Sequence, residues 1–156
     1  MKTARRQARE IALQALYAWQ LSKGDPLEEA RSSEEFKGAD AAFAEDVLRG
    51  VVEREAELRG HISPHLDRDF ARLSPVERAI LYIGTWELLA RVETPFKVIV
   101  NEAVELGKSF GATEGHRFVN GVLEKVARAL RPQEVENQKR SQDPFPGGAK
   151  LKEKGS

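Results

Sequence analysis

The 156-residue chain contains no cysteine, which excludes a disulfide scaffold, thiolate zinc sites and cysteine nucleophiles, and fits a reducing, cytoplasmic setting. It lacks any run of about 18 apolar residues, the minimum for a transmembrane helix, so no membrane association is expected. The N-terminus starts basic, but Glu10 and Gln14 interrupt the apolar residues after it, and no signal peptide is expected. An alternating β pattern, an internal repeat and a glycine-rich phosphate loop are all missing. So are a nucleophile elbow and a paired-carboxylate motif, which leaves catalysis little to stand on. A binding protein without cofactor is therefore expected. Net charge is absent as well: 25 basic residues balance 25 acidic ones, which argues against indiscriminate coating of nucleic acid.

What is present describes a globular domain. Apolar residues make up 40% and charged residues 32%, enough for both a core and a solvated surface. The charge is unevenly spread. Residues 1–10 carry Lys2, Arg5, Arg6 and Arg9 against Glu10 alone, whereas Asp25 to Glu57 hold eleven acids and four bases.

The apolar spacing is helical throughout, and the expected fold class is all-α. Residues 3–21 predict a helix with two faces: an inner stripe of Ala4, Ala8, Ile11, Ala12, Ala15 and Trp19, and a second face of Lys2, Arg5, Arg6, Arg9, Leu13, Tyr17 and Gln20. Gly24-Asp25-Pro26 ends it, and a weakly structured acidic segment is expected up to Gly38. Asp40 is a candidate N-cap for a helix carrying Phe43, Val47, Val51, Leu58 and Ile62 inward. Pro64 breaks that pattern before a short element around Leu66 to Leu73. Ser74-Pro75-Val76-Glu77 combines a capping serine, an N1 proline and a capping-box glutamate. The helix after it, Val76 to Arg91, is apolar nearly all round and is the expected centre of the core. Thr94-Pro95 starts another helix, with Phe96, Ile99, Val100, Ala103, Leu106 and Phe110 inward and Gly111 as its stop. Thr113 or Glu114 opens a last helix carrying Val119, Val122, Leu123, Val126 and Leu130. After Arg131-Pro132 periodicity gives way to prolines, glycines and lysines, which predicts a domain over 1–132 and a flexible tail over 133–156.

Two features suit RNA. Phosphates need cations, and exposed bases need flat side chains to stack on. Lys2, Arg5, Arg6 and Arg9 line one face with Tyr17 further along, although a solvated helix end with a buried tyrosine has the same composition. Phe118 lies at the edge of the last helix's inner stripe beside Lys125, where it can either stack on a base or pack in the core. His61 and His65 have metal-ligand spacing, but Pro64 lies between them and no third ligand is near, so no metal is expected. His116 has no evident partner. Glu102 and Glu105 read as a solvated helix face.

Four segments carry a family resemblance. Residues 5–17 (RRQAREIALQALY), 73–81 (LSPVERAIL), 95–106 (PFKVIVNEAVEL) and 116–123 (HRFVNGVL) resemble, in order, the NusB family of bacterial transcription antitermination factors. The resemblance spans residues 3 to 132. It implies a single-domain helical bundle of about six or seven helices in two subdomains. It also implies binding of boxA RNA jointly with NusE, a small-subunit ribosomal protein, within the RNA polymerase antitermination complex of ribosomal RNA synthesis. By position, Arg5, Arg6 and Arg9, with Lys2 before them, inherit an RNA-contacting role. Tyr17 and Phe118 fall on the RNA surface, and Glu77 is the candidate for the protein-partner surface. Gln7 and Ala8 interrupt an arginine run that the family often shows tighter, which implies lower RNA affinity, and Trp86 stands where tyrosine is common. Two other readings remain: an RNA-holding accessory domain, as in NusB-like domains fused to RNA cytosine methyltransferases, and a self-associating scaffold, since some family members form homodimers. At 156 residues the chain leaves too little length for a methyltransferase domain.

Overall fold

A computed structural model describes residues 2–111 and 115–141. Among the described residues there are eight α-helices and no strands: α1 Ala4–Ser22, α2 Pro26–Arg31, α3 Ala41–Glu53, α4 Glu55–Ile62, α5 Pro75–Ala90, α6 Phe96–Phe110, α7 Gly115–Leu130 and α8 Pro132–Ser141. The all-α expectation holds. Helices α1, α2 and α3 pack as one group and α5, α6 and α7 as another, with α1 laid against α5 to join them. None of the described helices is long and apolar enough to cross a membrane.

Local chemistry sets the boundaries. Thr3 Oγ1 accepts from the Arg6 backbone N–H at 3.0 Å and starts α1. Lys23 ends it in the left-handed region at φ 63°. The acidic stretch, expected to be weakly structured, instead forms α2, capped by Asp25, and a 3-10 turn over Glu34–Gly38, capped by Ser33. Asp40 caps its helix as expected, but the stripe from Phe43 to Ile62 is divided between α3 and α4 at Arg54. The capping box at Ser74 and Glu77 is complete, with bonds of 3.1 and 3.3 Å. Helix α5 is the core axis: every residue from Ala79 to Leu88 is buried, the acid Glu87 included.

Close approach of helices depends on glycine at two positions. A Cβ at Gly107 on α6 would stand 2.9 Å from the Cα of His116 on α7, so these backbones touch only without a side chain there. A Cβ at Gly50 on α3 would overlap the Trp86 indole on α5.

The C-terminal region departs from expectation. Residues 132–141, predicted to be tail from 133 onward, form α8, which buries Val135 against α7. Sequence periodicity missed it because one apolar contact in ten residues makes no stripe. Residues 142–156 lie outside the described residues, as do Thr113 and Glu114. Arg131 holds this end together, donating to the carbonyls of Glu87, Leu88, Arg91 and Thr94 at 2.6 to 3.3 Å and pairing with Glu134. Three of those carbonyls belong to the open end of α5 or its cap, so a side chain from α7's end serves as its C-terminal cap. Glu134 in turn accepts from the Phe96 N–H at 2.7 Å, so it, rather than Thr94, satisfies the start of α6.

Candidate nucleic-acid interface

The N-terminal cations do not form one free basic face. Lys2 Nζ pairs with Glu10 at 2.8 Å. Arg5 donates to Asp40 Oδ2 through Nε and Nη2, at 3.4 and 3.2 Å, and lies over the Phe43 ring at 4.3 Å. Arg6 forms a two-pronged pair with Glu102, Nε to Oε1 at 3.0 Å and Nη2 to Oε2 at 2.8 Å. These three cations remain substantially solvent-exposed.

Arg9 is different, and its expected place on the surface needs correction. Its side chain is 5% exposed and forms a two-pronged pair with Glu87, itself 2% exposed, at 2.8 and 2.9 Å. Glu102 lies 3.5 Å from its other nitrogen. The physical reason is that α1 is covered on more than one side, by α2 and α3 and also by α5 and α6, so Arg9 and Leu13 point into packed protein. Three guanidiniums, of Arg5, Arg9 and Arg91, surround the buried Phe43 ring at 4.3 to 5.3 Å.

Glu102 is likewise no solvated-face residue. It sits between Arg6 and Arg9, and hydrogen bonding from Arg6, together with the charges of both arginines, holds its carboxyl below the ordinary value of 4.5. The Arg6 guanidinium is raised by the same hydrogen bond. A continuous chain of charges thus runs from the surface inward: Arg6, Glu102, Arg9, Glu87.

Tyr17 stands on the same stripe of α1 as Arg6, eleven residues on, or about 16 Å along the axis. It is 40% exposed and available for stacking. The adjacent Gln20 donates to the Pro75 carbonyl at 2.9 Å, which brings this end of α1 to the start of α5. Glu77 lies at that start with its carboxylate engaged in the capping box, and the first turn of α7 packs near it: a Cβ at Gly115 would stand 3.9 Å from Oε2. Phe118, on α7, is half-buried, and the Arg68 guanidinium lies 5.2 Å from its ring. The structure therefore sorts the proposed residues into a cationic end, with Lys2, Arg5 and Arg6, and an end at the start of α5, with Tyr17, Glu77 and the helix of Phe118. Arg9 belongs to the interior between them.

Sequence reading missed Glu10 and Glu102 as arginine and lysine partners, and saw in Asp40 only a cap. One signal was legible: Glu87 is the lone acid inside the otherwise apolar stretch of α5, and a buried carboxylate requires a cation. Among the described residues no group of three potential ligands gathers to hold a metal ion; His61 Nε2 lies 3.7 Å from the Glu57 carboxylate.

Comparison with known proteins agrees with this architecture. The family model described as the NusB family matches residues 6–128. The chain is 48% identical over 143 residues to the transcription antitermination protein NusB of Dechloromonas aromatica (strain RCB), covering 90% of this chain and 88% of that protein. It is 49% identical over 138 residues to the protein of the same name from Burkholderia mallei (strain SAVP1), covering 86% and 95%. Among solved structures, T. maritima NusB superposes with a TM-score of 0.75 at 30% identity, covering 87% of this chain and 99% of that one. A crystal structure of the antitermination factors NusB and NusE in complex with dsRNA superposes with a TM-score of 0.73 at 28% identity, covering 83% and 99%. With nearly the whole helical domain matched by sequence and by fold, the chain belongs to the NusB family.

Proposed function

We propose that this protein is a non-enzymatic transcription antitermination factor that binds boxA RNA together with NusE and acts on RNA polymerase, notably in ribosomal RNA synthesis. The observation that carries the reading is the structural match, over 83% of the chain, to a NusB crystallised with NusE and dsRNA. Residues 2–17 add physical support. Lys2, Arg5 and Arg6 supply surface cations for phosphates, and Tyr17 supplies an exposed ring on the Arg6 stripe. Phe118 adds a second, half-exposed ring, and Glu77, beside Tyr17's end of α1, is the partner-facing candidate. Arg9 serves this surface from beneath, by holding Glu102 and Glu87 in place.

A cationic patch of three residues binds weakly on its own, because each phosphate contact is opposed by salt and little sequence is read. A partner that extends the contact surface supplies the missing affinity and selectivity. The experiment is a fluorescence-anisotropy titration of a boxA-like single strand, a scrambled strand and a duplex, with and without NusE, at several salt concentrations. Tighter, sequence-selective binding with NusE is the expected result. Equal weak binding to all three RNAs, unchanged by NusE, would overturn the reading and favour a self-associating scaffold, which sedimentation would reveal as a homodimer.

A further inference from the structure

Resting on that RNA-binding reading, we propose that Asp40 and Glu102, with Glu10, are affinity-determining residues of the site: they occupy its cations as internal stand-ins for RNA phosphates, and binding proceeds by exchange. Each exposed cation of the N-terminal ridge is held by one of these acids, Lys2 by Glu10, Arg5 by Asp40 and Arg6 by Glu102. The Arg6–Glu102 pair has the fork geometry, two parallel N–H···O bonds of 3.0 and 2.8 Å, in which a guanidinium also grips two oxygens of a phosphodiester.

The surroundings make the exchange reversible. When Arg6 leaves, Glu102 keeps Arg9 at 3.5 Å, so the acid is not stranded as an unpaired, half-buried charge. When Arg5 leaves, Asp40 keeps its structural work, because Oδ1 rather than Oδ2 caps α3 through the Phe43 N–H at 3.1 Å. Glu102 and Asp40 thus each have a second attachment that survives loss of the first. Arg5 also retains a resting place over Phe43.

The arrangement discriminates among anions. A lone anion displaces one carboxylate and gains little, since it trades one ion pair for another. A ligand that delivers several phosphates at the spacing of a strand displaces them together, and association with a partner strengthens it further. The site is therefore selective for phosphodiester backbones over single anions and acidic side chains.

The test compares Glu102→Gln, Asp40→Asn and Glu105→Gln by anisotropy titration of the boxA-like strand at fixed, low salt, with Arg6→Ala alongside. Glu105 is the charge-matched control: it lies one turn from Glu102 on α6 and forms its ion pair with Lys108, so only its charge at a distance, and no contact, reaches Arg6. Asn caps helices as well as Asp, so Asp40→Asn keeps the fold even where Glu102→Gln loosens it. The expected result is about two- to fivefold tighter binding for Glu102→Gln and for Asp40→Asn, the range set by release of a partly exposed ion pair, with Glu105→Gln close to the parent. Binding by Glu102→Gln and Asp40→Asn no tighter than by Glu105→Gln, while Arg6→Ala weakens binding, overturns the exchange and leaves the RNA surface standing. Arg6→Ala with unchanged affinity removes the RNA surface itself and the exchange with it.

Discussion

Replacing Arg9 by methionine isolates the interior role of this residue from any contact with RNA. The substitution keeps most of the side chain's length but leaves Glu87, 2% exposed, as a buried carboxylate without its two-pronged partner. Removing one member of a buried ion pair costs about 3–5 kcal/mol, because the remaining charge stays desolvated. Loss of the guanidinium above Phe43 adds about 0.5–1 kcal/mol. For a domain of this size each kcal/mol lowers Tm by about 2–4 °C, so a fall of about 7–24 °C is expected. The double variant Arg9→Met with Glu87→Leu removes both charges, and buried pairs replaced by apolar residues are often neutral in stability. It should recover to within about 1 kcal/mol of the parent. Urea unfolding followed by circular dichroism measures all three proteins, with Glu87→Leu alone completing the cycle. Because the double variant has unchanged net charge and an intact surface, its affinity for the boxA-like strand should also be near the parent's. A single variant as stable as the parent, or a double variant that loses the sum of both singles, would refute the buried-pair account. A stable double variant that no longer binds RNA would return Arg9 to the interface.

Four further outcomes rest on the geometry. Arg131→Lys should cost about 2–3 kcal/mol in urea unfolding, because an ammonium cannot reach four carbonyls that a planar fork serves. Gly107→Ala should cost about 1–3 kcal/mol, the usual penalty of overpacking, by pushing α6 from α7 at His116. Thr85→Val should raise stability by about 1 kcal/mol, since the Thr85 hydroxyl is buried without a hydrogen-bond partner. In acid, the folded state holds Glu102 ionised below the ordinary 4.5, so unfolded chains take up its proton first. Its contribution is complete above that value and is lost as pH falls through the folded pKa. Melting curves from pH 6 to pH 3 should therefore descend less steeply for Glu102→Gln than for the parent.

The fold was legible wherever helix boundaries are written in local chemistry and faces in long stripes. Ser74, Pro75 and Glu77 announced α5 within one residue, and the apolar run after them identified the core axis. Asp40 was equally readable as a cap. Helix α8 was not, because its place depends on Glu134 and Arg131 reaching other helices rather than on its own pattern. Of the candidate interface, spacing put Tyr17 and the cations at residues 2, 5 and 6 on an outer face, where they are exposed, yet spacing alone cannot tell that α5 and α6 close over Arg9. Partners 35, 78 and 96 residues distant in the chain, Asp40, Glu87 and Glu102, leave no periodic trace in the sequence.

The reach of Arg131 has a consequence for how the protein is made. The open end of α5 is completed by a residue from the end of α7, so in a chain still emerging from the ribosome the Leu88 and Arg91 carbonyls are left to water until Arg131 arrives. The pairings of Arg6 and Arg9 also wait for α6 and α5 to be synthesised. The N-terminal third therefore cannot reach its final form as an independent early unit. The charge pairs of α1 are complete only once residue 102 is available, and the cap of α5 only once residue 131 is.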